Sequence, residues 1–180
     1  TTLTSLAGAP TTVGGGFFCY HTKITSLEGA PQHVGLTCDC SNLEITSLAG
    51  APQHVEENFW CSNTKITSLA GAPQTVGGSV YCCDTYLTSL EHAPQTVGGI
   101  FDCGNTDITS LKGIHKTHRK WKIGEMLILP DRCADIVGLA LIEGINRVHI
   151  RGTNFDISDH DPHSFQEKLL DAGMKAQARM

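Results

Sequence analysis

One phrase recurs along most of this chain. It reads LTSLAGAPTTV from Leu3, ITSLEGAPQHV from Ile24, ITSLAGAPQHV from Ile45, ITSLAGAPQTV from Ile66, LTSLEHAPQTV from Leu87 and ITSLKG from Ile108, each start 21 residues after the last. A repeat of roughly 20 to 50 residues decides the architecture before local propensity does. With no insertion anywhere in the run, each copy becomes one coil of a solenoid, and equivalent side chains stack above one another inside it. Leu6, Leu27, Leu48, Leu69, Leu90 and Leu111 then form one internal column. Val13, Val34, Val55, Val76 and Val97 form a second, and Phe17, Cys38, Phe59, Val80 and Phe101 a third.

Within a coil, VGGSVYC (Val76 to Cys82) alternates apolar and small or polar residues. Period-two alternation predicts one strand, with Val76, Val80 and Cys82 inward and Gly77, Ser79 and Tyr81 outward. Each strand would pair in parallel with its copy one coil away, about 4.8 Å off. The Ala-Pro pair marks a turn, because Pro fixes φ and lacks an N–H. No copy has room for a long helix, so turns and short 3₁₀ pieces are expected on the outer side. Cys19, Cys40, Cys61, Cys82 and Cys103 also stand 21 apart. Zinc sites need thiolates that converge in close pairs. One cysteine per coil makes a ladder instead, read here as buried, reduced thiols packing as small hydrophobes. Reduced thiols point to a cytosolic compartment.

The frame APxxVxxxFxCxxTxITSL resembles the short bacterial type of leucine-rich repeat, in which LPxxLxxLxVxxNxLTSL stands. Phe and Cys replace the usual strand Leu and Val. Thr22, Thr64, Thr85 and Thr106, with Leu43, fill the slot of the usual Asn. Thr can donate one hydrogen bond from there and Leu43 cannot, so the coil of Leu43 is expected to differ locally. Repeats reading TSLxGAPxxVGGxFxC before a tail of this type also resemble proteins encoded by large bacteriophages. That resemblance implies a leucine-rich-repeat-like parallel solenoid acting in the cytoplasm of an infected bacterium. It further implies that the protein binds and inhibits a host protein, one belonging to antiviral defence.

After Leu111 the phrase stops, dividing the chain into a repeat region, 1–112, and a C-terminal α/β cap, 113–180. The charge divides there too. The first part holds three basic and nine acidic residues, a net −6, and the second ten and nine, a net +1. Lys116, Arg119, Lys120 and Lys122 surround Trp121. They permit either an anion contact with Trp121 stacking on a base, or a connector whose Trp covers the last coil, which is the preferred reading. MLILP and NRVHIRG predict strands. DRCADIVGLALIEG predicts a buried helix with Asp131 as N-cap and Gly144 past its end. DHDPHSFQEKLLDAG predicts a second helix, with Pro162 in its first turn, a capping box of Ser164 and Glu167, and Gly173 ending it. Asp156, Asp159, His160, Asp161 and His163 have the composition of a metal cluster but equally that of turns and caps, and no metal or other cofactor is assigned. His33 and His54 share an outer slot.

In a solenoid the information lies in outward slots that vary. The middle outward column of the strand face holds Phe18, Asp39, Trp60, Tyr81 and Asp102, and Tyr20 and Asn58 stand beside it. Aromatic anchors with sparse charge are the makeup of protein-binding hot spots. The expectation is a non-enzymatic protein that binds its partner through this face. Two alternatives remain open: a protein sequestering a nucleotide signal or other small ligand, with Trp60 or Tyr81 stacking on a base, and a structural homo-oligomer. An acidic repeat region argues against nucleic acid, and no apolar stretch approaches the roughly 18 residues of a membrane span. Catalysis is not expected, since the Ser of every TSL recurs as a structural hydroxyl would. Cys83, the outward cysteine, has no base assigned to it.

Overall fold

A computed structural model describes residues 3–112, 114–118 and 120–179. The 21-residue copies wind into a parallel β-solenoid, and each coil contributes two short strands rather than one. In chain order they are β1 (Thr12–Val13) and β2 (Phe17–Phe18), β3 (His33–Val34) and β4 (Cys38–Asp39), β5 (His54–Val55) and β6 (Phe59–Trp60), β7 (Thr75–Val76) and β8 (Val80–Tyr81), and β9 (Thr96–Val97) and β10 (Ile100–Asp102). The first strand of each coil joins one sheet and the second joins another. VGGSVYC is therefore not one strand, because its glycine pair bends the chain between the two sheets. Backbones cross closely at that bend. A Cβ on Gly77 would lie 2.0 Å from the Glu56 carbonyl oxygen, and one on Gly98 would lie 1.9 Å from that of Gly77. The inward set is nevertheless as expected, with Val76, Val80 and Cys82 fully buried.

Side-chain bonds close the turns coil by coil. The hydroxyls of Thr22, Thr64, Thr85 and Thr106 donate to the carbonyls of Cys19, Cys61, Cys82 and Cys103 at 2.7–2.9 Å. Leu43 fills the same slot as a buried hydrophobe, and the neighbouring Ser41 Oγ is buried with no partner among the described residues. The backbone there does not differ: Asn42 has φ 57°, beside the 52–56° of His21, Asn63, Asp84 and Asn105. The local difference is one of bonding, not of chain path. In every TSL triplet the Ser Oγ accepts the N–H two residues on, as Ser68 does from Ala70.

Beyond Leu111 both sheets continue although the phrase does not. A short helix α1 (Ile114–Thr117) precedes β11 (Lys120–Ile123) and β12 (Met126–Ile128). A 3₁₀ turn (Val137–Leu141) follows, then β13 (Glu143–Ile145), β14 (Arg147–Ile150), β15 (Thr153–Asp156) and α2 (Pro162–Asp171). Strands β11 and β13 extend the first sheet, and β12 and β14 the second. Phe101 pairs with Leu127, 26 residues on, and Leu127 with Val148, 21 on. In the second sheet the original spacing thus returns after one insertion, in the stretch that carries α1, whereas in the first sheet Lys120 pairs with Glu143 and Ile123 with Ile145 through a shifted register. The second sheet ends in antiparallel β15, joined to β14 by a tight turn at Arg151 and Gly152, both at positive φ.

The helix expected over 131–144 does not form. Asp135 sits at φ 55°, Gly144 at φ 96°, and Glu143–Ile145 is a strand paired with β11. Cys133, Ile136, Val137, Leu139, Ala140, Ile142 and Ile145 are all buried. Apolar residues on every side suit a coil enclosed by its neighbours, whereas a helix rising ~1.5 Å per residue would not reach the strand edge. Helix α2 forms as expected, but its cap is Asp161, whose carboxylate accepts from the N–H groups of His163 and Ser164. Ser164 instead donates to Asp159, at 3.0 Å. Phe165 and Leu169, four apart on one face, are buried. Among the described residues no helix is long and apolar enough to cross a membrane.

Candidate functional site

The second sheet aligns the variable column by backbone pairing alone. Phe18 pairs with Asp39, Asp39 with Trp60, Trp60 with Tyr81, and Tyr81 with Asp102. The expected column is thus a physical row, and it runs on through Ile128 and His149. Those two were not legible in the sequence, since they lie where the phrase has ended. Phe18 is 60 % exposed and Trp60 39 %, so both face solvent as the alternation requires. Tyr81 is half-buried because it packs against Trp60, with ring centroids 4.4 Å apart and planes tilted by 39°. Tyr20 is exposed and stands edge-on to Phe18 at 6.4 Å.

The polar members of the site serve the fold as well. One carboxylate oxygen of Asp39 accepts the Ser41 N–H, and one of Asp102 accepts that of Gly104, each at 2.9 Å. These bonds hold the carboxylates in fixed orientations on either side of the aromatic pair. Asn58 Oδ1 accepts the N–H of Ser79, and Ser79 Oγ accepts that of Ile100, at 2.8 and 3.0 Å. Asn58 therefore bonds one coil to the next, a role invisible without the register.

All eight cysteines are free, and seven of them are buried. Cys40, Cys82 and Cys103 donate to the carbonyls of Trp60, Asp102 and Ile128 at 3.0–3.2 Å. Burial pushes Cys19 up to about 11 and Cys133 to about 12, and holds Cys40, Cys82 and Cys103 well above the ordinary thiol range. Leu129 and Ile150, both buried, replace cysteine in the coils after Cys103. Cys83 is half-buried beside Ser62 Oγ at 3.2 Å, and burial raises its pKa too, so it is a thiol rather than a thiolate near neutrality.

Other sequence candidates are absorbed by structure. Trp121 is buried, donates its indole N–H to the Pro94 carbonyl at 2.8 Å, and packs edge-on against Phe101. It is not available to stack on a base. Lys116, Lys120 and Lys122 are exposed, and Arg119 lies outside the described residues. Asp156 holds Ser158, Asp159 holds Ser164 and Lys168, and Asp161 caps α2. His33 and His54 are neighbours on the first sheet, where His33 faces Glu56 at 3.5 Å and His54 meets Thr75 at 2.8 Å. A polar groove at the strand ends is lined by Asn63, Asp84, Tyr86 and Asn105. Lys65 pairs there with Glu44 and Arg132 with Asp107, while Asp84 accepts from the Asn105 amide and has no ion-pair partner among the described residues. Comparisons with protein-family models, with curated proteins and with solved structures returned no significant match to this chain.

Proposed function

We propose that this chain is a non-enzymatic binding protein whose partner is a protein docked on the second sheet, across Phe18, Asp39, Trp60, Tyr81 and Asp102. The observation that carries this reading is the stacked Trp60–Tyr81 pair, set in solvent on a rigid sheet. Large aromatics held in place by a scaffold lose little entropy on binding and dominate interface energies. The recurrent serines are occupied as backbone acceptors, and Cys83 is a protonated thiol, which supports a role without catalysis. The resemblance to leucine-rich-repeat proteins of large phages supplies the finer reading: a host bacterial protein as partner, inhibition as outcome and the host cytoplasm as location. The test is capture of partners from bacterial lysate by the wild-type chain and by Trp60→Ala/Tyr81→Ala. Loss of a specific partner in the double variant is expected, and identical retention by both proteins refutes the strand-face reading.

A further inference from the structure

The row reads carboxylate, indole, phenol, carboxylate along neighbouring strands: Asp39, Trp60, Tyr81, Asp102. Trp60 and Tyr81 pack against each other at 4.4 Å with planes tilted by 39°, and each has an Asp as its neighbour on the side away from the other ring. Aspartate is far shorter than the aromatics, which leaves the space over each outer ring face open above a carboxylate. One oxygen of each carboxylate is held by backbone, and the second meets no donor among the described residues. From the first through the fifth coil neither the middle column nor the residues two positions before and after its members include Lys or Arg, and the whole stretch through Lys112 carries a net −6. Among the described residues, Arg147 and Arg151 bring basic charge to this face, in its last coil.

We propose that this face binds a basic peptide segment through two arginine side chains, one lying between Asp39 and Trp60 and the other between Tyr81 and Asp102. The inference rests on the strand face being the docking surface, and adds the chemistry of what docks. A planar guanidinium is the group that stacks on an aromatic face and bonds a carboxylate at once. Asp39 and Asp102 lie three strand spacings apart, about 14 Å, and guanidiniums stacked on the two outer ring faces between them lie on the order of 12 Å apart. An extended peptide places residues four apart at about the same distance and on one side. The matching segment therefore reads Arg-x-x-x-Arg, laid along the solenoid axis. Nucleic acid is disfavoured, because the same carboxylates repel phosphate.

The probe is a short end-capped peptide of Gly and Ser with two Arg four residues apart, titrated while the indole N–H resonance of Trp60 is followed by NMR. The buried, hydrogen-bonded indole of Trp121 serves as internal reference. Saturable movement of the Trp60 signal is expected. Binding should weaken roughly tenfold in Asp39→Asn/Asp102→Asn, and again when ionic strength rises from about 0.05 to about 0.5 M. Asparagine keeps the oxygen that accepts the Ser41 and Gly104 N–H groups, so this variant removes charge and spares the turn; an unchanged melting temperature verifies that. Equal binding of a peptide with Gln for both Arg, equal binding by the Asn variant, or no movement of Trp60 overturns the proposal. So does a dimer through the same face that excludes the peptide. Suppose the lysate partner is lost in Trp60→Ala/Tyr81→Ala but fully retained by the Asn variant. The docking face then stands and the cationic partner falls; if both variants retain it, both readings fall.

Discussion

At the scale of single residues, side chains in this protein do two jobs at once. Asp39 and Asp102 hold turns and present charge, and Asn58 links coils while standing in an outward slot. The glycine bend allows the least variation. In the slot Gly14, Gly35, Glu56, Gly77, Gly98 and Gly124 only Glu56 carries a side chain, and beyond the open first coil a Cβ on any of the glycines would lie 1.9–2.5 Å from a carbonyl oxygen of the coil before. A Cβ at Gly98 would overlap the Gly77 carbonyl oxygen, 1.9 Å away, and Gly124 in turn crowds the Gly98 carbonyl. Gly98→Ala should therefore cost about 2–3 kcal/mol through forced backbone movement, read as a lower midpoint in urea unfolding. Gly14, the same slot in the first coil, meets nothing within 4 Å and is the control. The middle outward column was legible in the sequence because alternation and period agree on it. The stacking of Trp60 on Tyr81 was not, since it depends on which coils are neighbours and on rotamers no pattern encodes.

At the scale of elements, short strands make sense only in company. A two-residue strand has no stability of its own, and each here is held by equivalent strands in the coils on both sides, or on one side for β1 and β2 at the sheet edges. Helix α2 is the exception, an element with its own start signal. Its N-terminal N–H groups are satisfied by Asp161, while Phe165 and Leu169 anchor it to the end of the solenoid. Asp161→Ala should cost about 1 kcal/mol, measured by thermal or urea unfolding, whereas Glu167→Ala should cost little because no capping box forms. The stretch 131–144 teaches the opposite lesson. Asp at a supposed N-cap and Gly past the end imitate a helix, and the apolar run, buried except at Leu141, belongs to a coil, which periodicity alone cannot separate from a buried helix.

At the scale of the whole molecule, seven buried thiols couple the fold to pH. Below about pH 8.5, the ordinary thiol value, folded and unfolded chains both hold these protons and the full stability is present. As pH rises above that value, the unfolded chain releases them, while burial keeps Cys19 protonated to about 11 and Cys133 to about 12. Each buried thiol then lowers stability by about 1.4 kcal/mol per pH unit until its folded value is passed. The melting temperature should fall steeply above about pH 8.5, the unfolded thiol value. Cys61→Ala should make the pH slope of unfolding free energy shallower by about 1.4 kcal/mol per unit, and an unchanged slope would remove the thiols as its cause.

The sequence by itself determined that this is a solenoid, because strict 21-residue spacing stacks Leu on Leu and Cys on Cys, and no other arrangement buries every copy alike. It also determined which residues face in and which variable residues face out. Only the tertiary structure decided that each coil bends into two sheets and that the tail carries the same sheets forward. It alone also placed two aromatics and two carboxylates in one row. The physical reason is common to all three. Coils pair through backbone N–H and C=O groups, which every residue but proline carries, so the winding outlives the phrase that announces it.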